Sequence, residues 1–122
     1  MKVKRVTIGI RSTEDVLAEA AATMKAVAAG KTVKPRRRRL FFTSPEALRR
    51  FLTPKRVALI RLIRQQRPSS INELAALAHR DFKRVYEDVK ALAETGLLEL
   101  TQENGRKMTP RVAEELRLEV VL

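Results

Sequence analysis

The side chains of this chain that could do chemistry are mostly fixed cations at close spacing. Lys34-Pro35-Arg36-Arg37-Arg38-Arg39 forms one run, and Lys83-Arg84, with Lys90 two turns of a helix further on, forms a second group. Arginine offers a planar fork of donors and lysine a compact charge, so such groups bind anions. Catalysis finds little footing. Cysteine is absent, which removes disulfides, thiolate nucleophiles and cysteine metal sites. His79 is the only histidine, and beside Arg80 and Asp81 with no second ligand it reads as structural or as a phosphate contact. Gly9, Gly30, Gly96 and Gly105 are scattered as stops and turns and form neither a Walker nor a dinucleotide pattern. Glu114 and Glu115 are consecutive, so they face different ways on a helix or a strand and make no shared carboxylate site. The expectation is a binding protein that is not an enzyme and has no cofactor or metal.

Its partner should be polyanionic. The 122 residues carry 26 Lys+Arg against 14 Asp+Glu, a net charge of +12 that exceeds what solubility requires. Residues 31–56 hold ten of the basic groups and only one acidic group, so most of the excess lies in one stretch. Pro35 and the mutual repulsion of Arg36–Arg39 argue for an extended basic arm over 31–39, the alternative being a solvated linker. Only 4% of the residues are aromatic, too few for a single-strand stacking platform, which leaves duplex nucleic acid or a protein surface. Apolar stretches are short and broken by charge, so the chain is expected to be cytoplasmic, with no membrane span.

The elements that would position these groups can be read from periodicity. Val6, Ile8 and Ile10 alternate with Arg5, Thr7 and Gly9, a strand with one buried face. Ser12 and Asp15 open a helix whose Val16, Leu17, Ala20, Ala21, Met24, Val27 and Ala28 repeat at helical spacing until Gly30. Leu40-Phe41-Phe42-Thr43 reads as a second strand. Residues 1–43 thus form a strand–helix–strand extension, too small to be stable alone, which either packs on the rest of the chain or dimerises with a second copy. A 44% hydrophobic content supports one modest core besides it, in residues 44–122.

Within that body, Ser44-Pro45 and Thr53-Pro54 are cap-then-proline helix starts. The helix from Pro54 to about Gln66 turns Leu59, Ile60, Leu62 and Ile63 inward and leaves Lys55, Arg56, Arg61 and Arg64 for solvent or phosphate. Ser70-Ile71-Asn72-Glu73 is a capping box for a short helix with Leu74, Leu77 and Ala78 inward. After His79-Arg80, Asp81 caps a longer helix with Val85, Val89 and Leu92 on one face, ended by Gly96. Two helices joined by three or four residues fit a helix-turn-helix. Leu97–Leu100 and the Asn104-Gly105 turn then suggest a hairpin, a wing. Residues 110–122 fit either a helical turn at 112–116 or a strand with Leu116, Leu118, Val120 and Leu122 alternating.

This order resembles the winged helix-turn-helix domain of MarR- and ArsR-like prokaryotic regulators over roughly residues 53–109. The segment SINELAALAHRDFKRVYEDVKALAETGLLEL is similar to their second helix, recognition helix and first wing strand. LTPKRVALIRLI and HRDFKRVYEDVKAL look closer to small prokaryotic regulators, some of which are antitoxin partners of a neighbouring toxin. The expected fold is therefore α+β, a winged helix-turn-helix with an N-terminal strand–helix–strand extension.

The resemblance implies that the helix after Asp81 enters the major groove, with Phe82, Lys83, Arg84, Tyr86 and Glu87 toward the bases. Arg84 suits a bidentate contact to guanine, Glu87 can accept from cytosine N4, and Lys83 and Lys90 suit phosphates. Asp88 either pairs with Arg84 to orient it or forms a plain surface ion pair with it. Arg80 in the turn is a further candidate contact. Ser69 and Asn72 at the start of the second helix suit phosphate, helped by unpaired backbone N–H groups there, whereas capping alone also explains Ser70. Arg106 and Lys107 at the wing tip either reach DNA or are solvated, and Arg36, Arg37, Arg38 and Arg39 resemble a minor-groove arm in composition only. The expected function is a sequence-specific double-stranded DNA-binding regulator, an autoregulatory repressor acting as a homodimer. A second reading is an antitoxin that binds a toxin protein, which can coexist with DNA binding, and a third is RNA binding.

Overall fold

The computed structural model describes residues 1, 3–11, 13–30, 37–103 and 107–120. Among them the chain is mixed α/β, with five helices and five strands. It divides into two units, residues 52–114 with the first two residues, and residues 3–51 with 115–122.

The larger unit is three helices followed by an antiparallel hairpin: α3 (Pro54–Gln66), α4 (Ile71–Ala78), α5 (Phe82–Thr95), β3 (Leu98–Glu103) and β4 (Lys107–Val112). Thr53 caps α3 by accepting from the Arg56 amide at 3.3 Å, with Pro54 in the first turn where its missing N–H costs nothing. Ser70 caps α4 by accepting from the Glu73 amide at 3.1 Å. The other half of the expected capping box is displaced by one residue, because the Glu73 carboxylate accepts from the Ser69 amide and hydroxyl, at 2.9 and 2.7 Å. Asp81 occupies the N-cap of α5 with extended backbone but makes no side-chain cap bond, contrary to expectation. Gly96 ends α5 at φ 86°, whereas α3 and α4 end on Arg67 and His79, both in the left-handed region.

Leu59, Ile60 and Ile63 of α3, Ile71, Leu74 and Ala75 of α4, and Val85, Val89 and Leu92 of α5 converge with Leu97 and Leu98 into one core. Each large side chain so buried contributes about 1.5–3 kcal/mol relative to exposure. Leu77, expected inward, is exposed; α4 instead buries Ile71, Leu74 and Ala75 with Ala78 half-buried, a complete i, i+3, i+4, i+7 stripe that excludes position 77.

The smaller unit is a three-stranded sheet in the order β2-β1-β5, formed by β1 (Arg5–Ile10), β2 (Arg37–Phe42) and β5 (Glu115–Val120), with both pairings parallel. The 16-residue α1 (Thr13–Ala28) connects β1 to β2, as parallel neighbours require a crossover. Val6 and Ile8 are buried and Gly9 lies under Phe41, whose ring comes within 3.0 Å of where a glycine Cβ would stand. Arg11 stacks over that ring at 5.1 Å. The seven-residue α2 (Pro45–Phe51) is capped by Ser44 and sets Phe51 5.5 Å from Phe42.

Three expectations change here. Residues 115–120 are a strand, and its ladder partner is β1, 110 residues away in sequence, so β5 and α2 group with the N-terminal strands rather than with residues 52–114. Arg37, Arg38 and Arg39, expected in an extended arm, begin β2 in register with Arg5, Val6 and Thr7; Lys31–Arg36 and the Ser12 cap lie outside the described residues. The small-sided stripe of α1 is exposed at Leu17, Ala20, Ala21, Met24 and Ala28, while half-buried Glu19 is bound by Arg11 at 2.8 Å and by Arg39.

Candidate nucleic-acid interface

The exposed face of α5 gathers the side chains singled out from the sequence. With Val85, Val89 and Leu92 fully buried, the helical period turns Lys83, Tyr86, Glu87 and Lys90 outward, with Arg84 on one flank and Phe82 on the other. All six are exposed. Phe82 and Tyr86, one turn apart, stack with ring centroids 6.0 Å apart, an exposed aromatic pair beside the cations. No acidic residue lies in the first turn of α5, which carries Lys83 and Arg84 instead. The field of the helix opposes cations at that end by about 0.3–1 kcal/mol each.

What holds this face in place is a carboxylate on the flank of α5. Asp88 accepts from Arg56 Nε of α3 at 3.1 Å and from Arg80 Nη2 of the turn at 2.8 Å. The three side chains are about one-fifth exposed, so the pairs are well shielded from solvent. Asp88 therefore ties α5 to α3 and to the three-residue turn after α4, and among the described residues it forms no ion pair with Arg84. Arg56 is correspondingly not a cation left for solvent or phosphate, and Arg80 turns its guanidinium toward Asp88. Arg80 Nη1 is buried with no hydrogen-bond partner among the described residues.

The hairpin is fastened to the start of α4. Thr109 Oγ1 donates to the Ser69 carbonyl at 2.9 Å, and Arg111 Nη1 donates to the Pro68 carbonyl at 2.8 Å. Pro68 and Pro110 are fully buried at this junction. Ser69 itself is engaged on both sides, its hydroxyl by Glu73 and its carbonyl by Thr109, whereas Asn72 is exposed in the first turn of α4. Neither Thr109 nor Arg111 stands out in the sequence. No local signal marks them, because their acceptors lie 40 and 43 residues away in sequence.

Of the remaining candidates, Lys107 opens β4, and Arg106 lies with Asn104-Gly105 outside the described residues. Arg36 lies outside them too. Arg38 and Arg39 are on β2 of the other unit, with Arg39 on Glu19, and Arg37 is the first residue of that strand.

Comparison with known proteins bears on the larger unit. The HVO_A0114 family model matches residues 51–115, more than half of the chain. The chain belongs to the HVO_A0114 family. No curated protein and no solved structure matches it. The HVO_A0114 match runs almost residue for residue over the helical unit of 52–114, from α3 to β4, and β1, α1, β2 and nearly all of α2 and β5 fall outside it.

Proposed function

We propose that this HVO_A0114 chain is a sequence-specific double-stranded DNA-binding regulator of the winged helix-turn-helix kind, related to MarR- and ArsR-like proteins, and that it represses as a dimer by occupying promoter DNA. The observation that carries the reading is the outward face of α5: Lys83, Arg84, Tyr86, Glu87 and Lys90 are exposed together on a helix that follows a three-residue turn and is locked to it through Asp88. The order α3, α4, α5 and hairpin supports it as well.

In this reading α5 lies in the major groove. Arg84 offers its fork to guanine O6 and N7, Glu87 accepts from cytosine N4, and the Phe82–Tyr86 pair meets thymine methyls. Lys83 and Lys90 contact phosphates, joined by Asn72 in the first turn of α4. The hairpin carries Arg106 and Lys107 to the backbone or minor groove. Anionic DNA relieves the opposition between Lys83, Arg84 and their own helix end, and counterion release makes the affinity steeply salt-dependent.

The test is Arg84→Ala. Loss of about 1–3 kcal/mol of discrimination between cognate and altered duplexes, with little change in salt slope, is the expected result. An unchanged preference with a shallower salt slope would make Arg84 a phosphate contact and remove the base-reading assignment.

A further inference from the structure

The two edges of the parallel sheet are unlike. β2 is an edge strand whose sequence opens on Arg37-Arg38-Arg39, and charged residues on an edge strand disfavour its pairing with another strand. Among the described residues β5 has no strand beyond it; it reads Glu115-Leu116-Arg117-Leu118-Glu119-Val120, with Leu116 39% and Leu118 57% exposed. An edge strand presents a row of backbone N–H and C=O groups ready to pair with another strand, and β5 has exposed leucines beside that row.

We propose that this edge pairs with β5 of a second copy, antiparallel about Leu118, so that two three-stranded sheets join into one. The backbone supplies the first argument. The Glu115 amide donates inward to the Lys4 carbonyl at 3.1 Å, so positions 115, 117 and 119 direct their backbone groups at β1, and 116, 118 and 120 direct theirs at the open edge. A two-fold centred on Leu118 lets Leu118 exchange both hydrogen bonds with its own copy and sets Leu116 opposite position 120.

Charge supplies the second argument. In that register Arg117 falls opposite Glu119 of the second copy, twice, in the non-hydrogen-bonded pairs where side chains approach most closely, and Leu118 meets Leu118 on the opposite face. Centring on Arg117 instead sets Arg117 against Arg117 and Glu115 against Glu119, like against like. Centring on Leu116 sets Leu118 against Glu114, which precedes the strand. Only the Leu118 register makes the alternation of ELRLEV self-complementary on both faces, and a closed two-fold pairing is the usual form of a homodimer.

The use of this dimer, presenting two copies of α5 to two half-sites, rests on the DNA-binding reading; the pairing itself does not. It is tested without DNA by sedimentation equilibrium of the whole chain across the micromolar range. Wild type should have twice the chain mass. Arg117→Glu and Glu119→Arg each place like charges opposite and should sediment as monomers with unchanged circular dichroism. The exchange Arg117→Glu/Glu119→Arg restores opposite charges and should restore the dimer. Arg117→Glu also gives up the contact of Arg117 with Glu115, which Glu119→Arg keeps, so loss of fold cannot pass for loss of pairing. A monomeric wild type, single variants that remain dimeric, or an exchange variant that stays monomeric would overturn the proposal. A dimer that binds no DNA would leave the pairing standing and remove the functional reading.

Discussion

Asp88 of α5 accepts a hydrogen bond from Arg80, in the turn eight residues before it, at 2.8 Å. With Arg56 on its other oxygen, the carboxylate joins three segments whose relative placement aims the exposed face of α5. Asp88→Ala leaves two shielded guanidinium groups without their acceptor. A loss of about 1–3 kcal/mol in unfolding free energy is expected, read from urea denaturation, and an unchanged midpoint would mean that the clamp contributes nothing net.

Lys83 lies in the first turn of α5, where the helix field opposes it. Replacing it by Glu should raise stability by about 0.3–1 kcal/mol while weakening DNA binding. Thermal unfolding and anisotropy on the same samples separate the two effects. A variant that is both less stable and equally able to bind would refute this account of the first turn.

Arg67 and His79 end α3 and α4 at φ 47° and 53°, where a side chain is strained and glycine is not. Arg67→Gly should therefore stabilise the helical unit by about 0.5–1 kcal/mol, the relief of strain outweighing the added freedom of the unfolded chain. Destabilisation would show that the Arg67 side chain contributes more than its backbone costs.

Glu115 receives hydrogen bonds from Arg5 at 2.8 Å and Arg117 at 3.0 Å, and these hold its carboxyl below the usual glutamate value. A group with a lowered folded-state pKa contributes stability above its unfolded value and loses it as pH falls through the lowered one. Amide exchange in β1 and β5 should accordingly quicken as pH falls below the ordinary glutamate range, after correction for intrinsic rates. Glu115→Gln should exchange faster at neutral pH and show less of this acid dependence. An equal acid response in both proteins would assign the effect to other groups.

Much of the helical unit was legible because its periods are clean. Val85, Val89 and Leu92 recur at helical spacing and are fully buried, and Thr53, Ser70 and Gly96 stand where the chain starts and stops its helices. The partner of Asp88 was not legible. Spacing favoured Arg84 one turn back, whereas the tertiary fold supplies Arg56, 32 residues away, and Arg80. The alternation in β5 was visible, but its parallel partner is not encoded locally, since nothing in Glu115–Val120 names β1. Arg37–Arg39 read as an arm because charge hides strand propensity, and only pairing with Arg5–Thr7 makes them β. For α1, a stripe of alanines was legible as a face, but composition could not tell an exposed face from a buried one.

The most direct test of DNA reading is fluorescence anisotropy of the purified chain on duplex DNA from upstream of its own gene and on a scrambled duplex, across a salt series. The account predicts a preference for the upstream duplex that survives moderate salt, above a non-specific component that falls steeply as salt rises. Equal, steeply salt-dependent binding to both duplexes would contradict it and leave the net charge of +12 as the sole cause of attraction.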